Sequence, residues 1–152
     1  MTANIALISD IHGRLSDAAR SVLEECDYIV CAGDTEDPAI LAEMEAIANL
    51  TVVRGNCDWG PWASDLPKDA VLKAAGISIY VIHNLDYISF EPDASKVDVV
   101  VFGHTHRSRQ YYSDDVLYVN PGSVSEPRGG QDPHMAILEV EDGRIYVRGV
   151  DL

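Results

Sequence analysis

Seven side chains that can bind a metal ion stand at or just beyond the ends of short apolar runs. They are Asp10, His12, Asp34, Asn56, His83, His104 and His106. Carboxylate, imidazole and amide ligands without a thiolate favour ions such as Mn²⁺, Fe²⁺ or Zn²⁺ over a closed structural zinc site. Seven ligands are too many for one ion, so the pattern predicts two divalent cations. Two adjacent cations can activate water for hydrolysis.

No single member of this set is specific. Asp10 and His12 could belong to a surface turn, Asp34 could cap a turn, and Asn56 follows a glycine in an ordinary turn dipeptide. The run Gly103–His106 is more informative, because two imidazoles on alternate residues are costly to leave unpaired at a buried strand end. Four of the five histidines fall in the set. The joint pattern therefore indicates the site.

Short apolar runs rich in Val, Ile and Tyr precede these side chains. The runs are Ile5–Ile8, Tyr28–Ala32, Thr51–Val53, Ile77–Ile82 and Val97–Phe102. Such runs are typical of buried parallel strands. The carboxyl ends of the strands in an open α/β sheet meet along one edge, so residues about two dozen positions apart are brought together there. The predicted strands would therefore bring these side chains together at one edge of a sheet.

Helical patterns separate the first three strands. The positions expected on one face of the first helix are Leu15, Ala18, Ala19, Val22 and Leu23. Asp37 reads as the N-cap of a second helix, with Pro38 at its first position.

Residues 58–67 read as an irregular loop that could form a wall of the site. Residues 84–96 form a crossover, with a short helix near Pro92 at best.

The second half of the chain changes to hairpins. A strand at Ala70–Lys73 turns at Ala75 and Gly76, and further turns are expected at Ser113–Asp115 and at Asp142–Gly143. This pattern predicts an additional antiparallel sheet. We expect an α/β (α+β) fold, with two sheets and helices on their outer faces, in a single domain over residues 1–152.

Composition limits the partners. The formal net charge of −14, with no cluster of basic residues, excludes long nucleic acid as an expected partner. No apolar stretch is long enough to span a bilayer, and no secretory signal opens the chain, so we expect a cytoplasmic protein.

The three cysteines read as free thiols. The acidic, Lys-poor balance suggests the hypothesis of a salt-rich cytoplasm.

Five ordered blocks of this sequence resemble the calcineurin-like metallophosphoesterases. The blocks are Asp10–His12, Gly33–Asp34, Gly55–Asp58, His83 and Gly103–His106. Asn120–Ser123, followed by Pro127 and Arg128, is similar to the small prokaryotic phosphodiesterase branch of that superfamily. The resemblance covers Ile5 to about Arg128. It implies a four-layer αββα sandwich of two mixed β-sheets flanked by helices.

The resemblance also implies a metal assignment. Asp34 bridges the two ions. Asp10, His12 and His106 complete one site, and Asn56, His83 and His104 complete the other. Manganese is the usual activating ion of the family, with Fe, Zn or Ni as alternatives. A hydroxide that bridges the ions then attacks a small phosphodiester in line, without a covalent enzyme intermediate.

Two positions depart from the family pattern. Larger members place a histidine where this chain has Cys57, and a neutral thiol is a poorer acid, so the proton donor for the leaving group is unassigned. Asp58 and a metal-bound water are the candidates, although Asp58 equally suits the orientation of a ligand histidine. The candidate catalytic residues are Asp34, Asn56, His104 and Asp58. Asn84 replaces a glycine, and asparagine tolerates a left-handed backbone.

Two alternatives to a phosphodiesterase stay open. One is a phosphomonoesterase with the same centre, and the other is a non-catalytic metal-binding scaffold for protein partners. The sequence decides neither the physiological substrate nor the oligomeric state. Residues 59–67 and 126–133 are expected to shape the pocket.

Several other residues have an ordinary and a functional interpretation. Arg14, Arg107 and Arg128 are either solvated or clamp a phosphate oxygen. Trp59 and Trp62 either pack in their loop or stack on a substrate, and packing is favoured. His134 is interpreted as a surface residue.

Overall fold

The computed structural model describes residues 2–152, which form ten strands, three α-helices and one 3₁₀ helix. The strands are β1 (Thr2–Ile8), β2 (Tyr28–Cys31), β3 (Asn49–Val52), β4 (Asp69–Ala74), β5 (Ile77–Ile82), β6 (Val99–Val101), β7 (Ser108–Ser113), β8 (Val116–Pro121), β9 (His134–Glu141) and β10 (Arg144–Asp151). The α-helices are α1 (Asp17–Glu24), α2 (Pro38–Ile47) and α3 (Pro61–Ser64), and the 3₁₀ helix is η1 (Leu85–Tyr87).

The first sheet has the strand order β10-β9-β1-β2-β3. Strands β1, β2 and β3 are parallel, and their last paired residues are Ile8, Cys31 and Val52. The carboxyl ends of these strands are therefore level, and the loops that follow them leave the sheet side by side. Helices α1 and α2 pack on the outer face, where the buried residues include Ile29, Leu23 and Met44.

The second sheet has the order β4-β5-β6-β8-β7. Strands β5, β6 and β8 are parallel, and Val81, Val101 and Val119 are aligned near their ends. The inner faces of the two sheets share one apolar cluster, which includes Leu7 and Val30 from the first sheet. Alternate side chains of each strand point into this cluster. The two sheets therefore present their carboxyl ends to a common edge.

Two mixed sheets with helices confirm the predicted fold class. The expectation of an additional antiparallel sheet was wrong. The hairpin β9–β10 joins the first sheet beside β1, and the hairpin β7–β8 joins the second sheet beside β6. Pairing with β9 covers an edge of β1 that would otherwise expose unpaired backbone groups. The outer face of the second sheet is covered mainly by η1 and the segment after it, through Leu85 and Ile88.

The helix starts follow their capping residues. The side chain of Ser16 accepts the Ala19 N–H at the start of α1, and that of Asp37 accepts the Ala39 N–H at the start of α2. The cap predicted at Asp37 is confirmed. The face predicted for the first helix was partly wrong, because Leu15 precedes the helix and Ala18 is exposed.

Two loop predictions also need correction. The segment predicted as irregular contains the short helix α3, which Pro61 begins at a favourable first position. No helix forms near Pro92. The crossover instead begins with η1, because the Asn84 side chain accepts the Asp86 N–H. Asn84 has a φ of −112°, so the expected left-handed backbone is not used there.

Within residues 2–152, no helix is both long enough and apolar enough to cross a bilayer. The three cysteines are free thiols, as predicted; Cys26 and Cys31 are buried and Cys57 is partly exposed.

Candidate metal centre

The seven predicted ligands meet at the common edge of the two sheets. Side-chain ligand atoms of four of them lie within 4.8 Å of one another: Asp10, His12, Asp34 and His106. In the adjacent group, Asn56 Oδ1 lies 2.9 Å from His83 Nε2 and 3.0 Å from His104 Nδ1. Asp34 Oδ2 lies 3.3 Å from His83 Nε2 and 3.7 Å from His12 Nε2. Asp34 therefore stands between the two groups.

Three imidazoles are oriented through their Nδ1 atoms. His83 Nδ1 donates to the Ala32 carbonyl at 2.7 Å, and His106 Nδ1 donates to the Glu126 carbonyl at 2.7 Å. His12 Nδ1 donates to the Glu36 carboxylate at 2.8 Å. A neutral imidazole that donates from Nδ1 carries a lone pair on Nε2. All three Nε2 lone pairs are thus fixed as potential metal ligands.

These lone pairs face other acceptors. His12 Nε2 and His106 Nε2 are 3.0 Å apart, and each is an acceptor in the neutral tautomer set by its Nδ1 contact. Asp10 Oδ1 lies 3.4 Å from His106 Nε2 and is buried without a hydrogen-bond partner among residues 2–152. A buried acceptor without a donor costs free energy. A cation would satisfy all of these atoms at once, so the residues present fit a divalent metal.

The remaining carboxylate oxygens are held by ordinary hydrogen bonds. Asp10 Oδ2 accepts from Ser9 Oγ at 2.8 Å and from the His104 N–H at 3.1 Å. Asp34 Oδ1 accepts the Cys57 N–H at 2.8 Å. One oxygen of each carboxylate therefore fixes the loops, while the other points at the imidazoles.

Five of the seven ligand candidates have a left-handed backbone. Their φ angles are 52° at Asp10, 47° at His12, 57° at Asp34, 74° at His104 and 60° at His106. For residues other than glycine this conformation costs on the order of 1 kcal/mol or more each. The strained backbone is therefore concentrated at the edge where the candidate ligands meet.

Asp58 organises the loops and does not face the cleft. Its carboxylate is buried and accepts the N–H groups of Asp34 at 3.0 Å, Glu36 at 2.8 Å and Gly55 at 2.7 Å. Of the two roles left open for Asp58, these contacts support orientation over proton donation. Its partners are backbone amides, however, and not a ligand histidine.

Cys57 lies beside the centre with a weakly acidic thiol. Burial raises its pKa to about 11, and the charges of Asp34, Glu36 and Asp58 act in the same direction. The thiol therefore stays protonated near neutral pH and is a poor proton donor to a leaving group. Its contribution to the site is the backbone N–H that holds Asp34.

Three residues that support the ligands had no role assigned from the sequence, although Ser123 lies in the Asn120–Ser123 block. Glu36 pairs with His12 Nδ1, Ser9 Oγ donates to Asp10, and Ser123 Oγ donates to the Asp10 carbonyl at 2.7 Å. Ser9 and Ser123 are buried. A hydroxyl directly before Asp10, at the end of an apolar run, was the available signal for Ser9. The pairing of Glu36 with His12 depends on the loop conformation and left no signal in the sequence.

The other singled-out residues have mixed outcomes. Trp59 is 74% exposed, so the packing expected of it was wrong. His134 is half-buried, and its Nδ1 donates to the Pro121 carbonyl at 2.8 Å, so it is not a free surface residue. Arg107 and Arg128 line a cleft next to His104, whereas Arg14 lines a separate cleft beside α1 and α2.

Asp34 and His83 stabilise each other's charged forms. Burial disfavours the charged forms of both Asp34 and His83, but their mutual hydrogen bond and attraction lower the pKa of Asp34 and raise the pKa of His83. Burial raises the pKa of Asp10, against the charges of His83 and His106. A cation that binds here must therefore displace protons.

Metal affinity is consequently expected to rise with pH. Because the pKa of His83 is raised, its proton competes with the metal up to a pH above the ordinary histidine value of about 6.5. The stability that this proton gives the metal-free protein is complete below that ordinary value and is lost as pH rises through the raised pKa. Calorimetric titration with Mn²⁺ from about pH 6 to about pH 8 should show tighter binding and proton release. A flat affinity would contradict this expectation.

Comparisons with known proteins identify the family of this chain. The model of the calcineurin-like phosphoesterase superfamily domain matches residues 3–143. The probable metallophosphoesterase YsnB of Bacillus subtilis is 30% identical over 159 residues, which cover 97% of this chain and 90% of YsnB. The phosphodiesterase YfcE of Escherichia coli is 30% identical over 162 residues, which cover 86% of this chain and 84% of YfcE.

Solved structures share the fold. The structure of YfcE, described as a phosphoesterase, matches with a TM-score of 0.71 at 23% identity, over 97% of this chain and 98% of that one. Vps29 of Chaetomium thermophilum matches with a TM-score of 0.77 at 21% identity, over 97% and 96%. At these identities the structures show the fold alone. The family model and the sequence relatives show more: this chain belongs to the calcineurin-like phosphoesterase superfamily.

Proposed function

We propose that the protein is a metal-dependent phosphodiesterase that hydrolyses small phosphodiesters with two divalent ions. The observation that carries the proposal is that two groups of ligand atoms meet at Asp34 Oδ2, beside a buried Asp10 Oδ1 that has no hydrogen-bond partner among residues 2–152. Two sequence relatives, YfcE and a protein from Methanocaldococcus jannaschii, are named phosphodiesterases, which supports the same activity here. Mn²⁺ is our first choice of ion, with Fe, Zn or Ni as alternatives.

The ligand sets follow the two groups. Asp10, His12 and His106 would hold one ion, with Asp34 shared. The residues that would hold the other, also with Asp34, are Asn56, His83 and His104. When bound, the ions lower the pKa of water and offset charge on the phosphate oxygens.

The protein residues supply position. The Nδ1 contacts of His12, His83 and His106 keep their lone pairs aimed at the centre, so these three side chains do not have to reorient when substrate arrives. Asn56 and His104 stand at the more open side, where the substrate enters. Neither Asp58 nor Cys57 is placed to protonate a leaving group, so we propose that the departing alcohol takes its proton from solvent.

The test uses one protein and two esters. Protein stripped with EDTA should hydrolyse neither bis(p-nitrophenyl) phosphate nor p-nitrophenyl phosphate, and Mn²⁺ should restore turnover, with the diester preferred. Faster turnover of the monoester would favour the phosphomonoesterase alternative. Stoichiometric Mn²⁺ binding without turnover of any ester in a wider screen would favour the scaffold alternative.

We also propose a single catalytic domain over residues 1–152, a cytoplasmic location, and no long nucleic acid or membrane as partner. The apolar cluster shared by both sheets supports the single domain, and the net charge of −14 opposes polyanion binding.

A further inference from the structure

A cleft of about 600 Å³ opens beside the metal centre on the side of the second sheet. His104, one of the ligand candidates, forms part of its wall. Arg107, Arg109 and Arg128 also line it. We call it the arginine cleft. The arginine cleft therefore places three guanidinium groups next to the candidate metal centre.

This concentration of positive charge contrasts with the rest of the chain. The protein has 25 acidic and 11 basic residues, yet three of the 11 stand in this one cleft. Among residues 2–152, the guanidinium groups of Arg107 and Arg128 have no ion pair and no hydrogen bond, while the Arg109 guanidinium lies 4.6 Å from the centre of the Tyr111 ring. Each guanidinium has five N–H donors. Those donors are available to a ligand.

The floor of the arginine cleft is fixed. Asn120 is buried, and its Nδ2 donates to the Gly103 carbonyl at 3.1 Å and to Thr105 Oγ1 at 3.0 Å. Gln131 Oε1 accepts the Ser108 N–H at 2.7 Å. These bonds tie the loop that carries Arg128 to the start of β7 and tie the loop of His104 to β8. The arginines are therefore anchored to ordered backbone on both sides of the cleft.

A second cleft of about 450 Å³ lies on the other side of His104. Its wall includes Leu66, Lys68 and Tyr87, with the Lys68 ammonium 5.9 Å from the centre of the Tyr87 ring. A phosphodiester has two alkoxy groups bonded to its phosphorus, each derived from one alcohol. The two clefts that meet at His104 offer each alcohol a separate environment, one partly apolar and aromatic, the other cationic.

We propose that the arginine cleft binds a second anionic group, a phosphate or a carboxylate, carried by one of the two alcohols of the substrate. Arginine suits this role better than lysine because its planar fork can donate two parallel hydrogen bonds to either anion. The inference rests on the proposed function, since it assigns the substrate of the same centre. It makes the substrate an asymmetric diester, with one anionic arm.

The test compares two diesters that differ by one phosphate. The thymidine 5′-(p-nitrophenyl) phosphodiester is measured with and without a phosphate on its 3′-oxygen, by release of p-nitrophenol with Mn²⁺ present. We expect kcat/KM to be higher for the 3′-phosphorylated diester by about tenfold or more, because one charge-assisted contact contributes on that scale. The same substrate with a 3′-carboxymethyl group separates phosphate from carboxylate.

Two variants test whether the arginine cleft causes this difference in kcat/KM. In Arg107→Ala/Arg128→Ala, the ratio of kcat/KM for the two diesters should fall to about one. Arg144→Ala is the matched control, because it removes an exposed arginine of β10 near the hairpin turn, far from this edge of the sheets, and should keep the ratio of the parent. A parent ratio near or below one, or a ratio that the double variant leaves unchanged, overturns the inference.

Failure of the proposed function gives a different result. In that case neither diester is hydrolysed, and binding replaces turnover as the readout. Calorimetric titration with thymidine 3′,5′-bisphosphate should then show binding that Arg107→Ala/Arg128→Ala weakens by about tenfold and Arg144→Ala does not. Equal affinity of all three proteins would overturn the arginine cleft as an anion site.

Discussion

Asp34→Ala is expected to lower the turnover of bis(p-nitrophenyl) phosphate on the order of 10³-fold, the upper part of the range for loss of one group that stabilises a transition state. Asp34 Oδ2 lies near both groups of candidate ligands, at 3.3 Å from His83 Nε2 and 3.7 Å from His12 Nε2. Its removal therefore weakens both ligand sets at once. Metal content, measured by elemental analysis after dialysis, should fall with activity.

A matched variant tests whether the loss of any one carboxylate is enough to lower turnover. Glu45→Ala removes a carboxylate from the exposed face of α2, outside the site, and should keep the metal content and turnover of the parent. Circular dichroism of each variant reports folding. Equal turnover by Asp34→Ala and Glu45→Ala, both folded, would end the assignment of Asp34.

Gly55→Ala should disable the site without removing any ligand. A Cβ on Gly55 would overlap Oδ1 and the backbone nitrogen of Asp34 and would lie 2.8 Å from its Cγ. The Asp34 loop must then move, which separates Asp34 from the imidazoles. Displacement of a catalytic group by about 1 Å can lower a rate about 10²-fold, and we expect a loss on that scale in kcat/KM. Calorimetric Mn²⁺ titration should show weaker binding.

Gly76→Ala is the control for this prediction. Gly76 lies in the turn between β4 and β5, where an added Cβ meets no atom within 4 Å, although its φ is +82°. The substitution should cost about 1 kcal/mol of unfolding free energy through the backbone and leave metal affinity unchanged. If Gly55→Ala bound Mn²⁺ as tightly as Gly76→Ala, the close approach of Gly55 to Asp34 would not matter for the site.

The positions of the ligands could be predicted because they follow strand ends. Asp10, Asp34 and Asn56 come after β1, β2 and β3, whose ends are level in the first sheet. His83 and His104 follow β5 and β6, which are aligned in the second. Apolar runs and parallel pairing were enough to bring these residues to one edge. The capping role of Asp37 was predicted from equally local chemistry.

The parts that could not be predicted depend on long-range contacts. Nothing local in the sequence decides which sheet each of the hairpins β7–β8 and β9–β10 joins, because that depends on which sheet edge each hairpin meets in the folded chain. The left-handed backbone at Asp10, His12 and Asp34 occurs where the loops after β1 and β2 pack on each other, as in the His12 N–H bond to the Asp34 carbonyl at 2.9 Å.

Supporting residues were harder to find for the same reason. Asp58 was identified by its place in a motif, but its three bonds to backbone amides of two loops appear only in the folded chain. Trp59 was expected to pack because large aromatic side chains usually do, and the loop leaves it in solvent.

Crystals grown with Mn²⁺ test the central claim most directly, because manganese can be located by its anomalous scattering. The site predicts two anomalous peaks per chain, with Asp34 contacting both. One peak should lie among Asp10, His12 and His106, and the other among Asn56, His83 and His104. A single peak, no peak at this edge of the sheets, or imidazoles turned away from it would contradict the account.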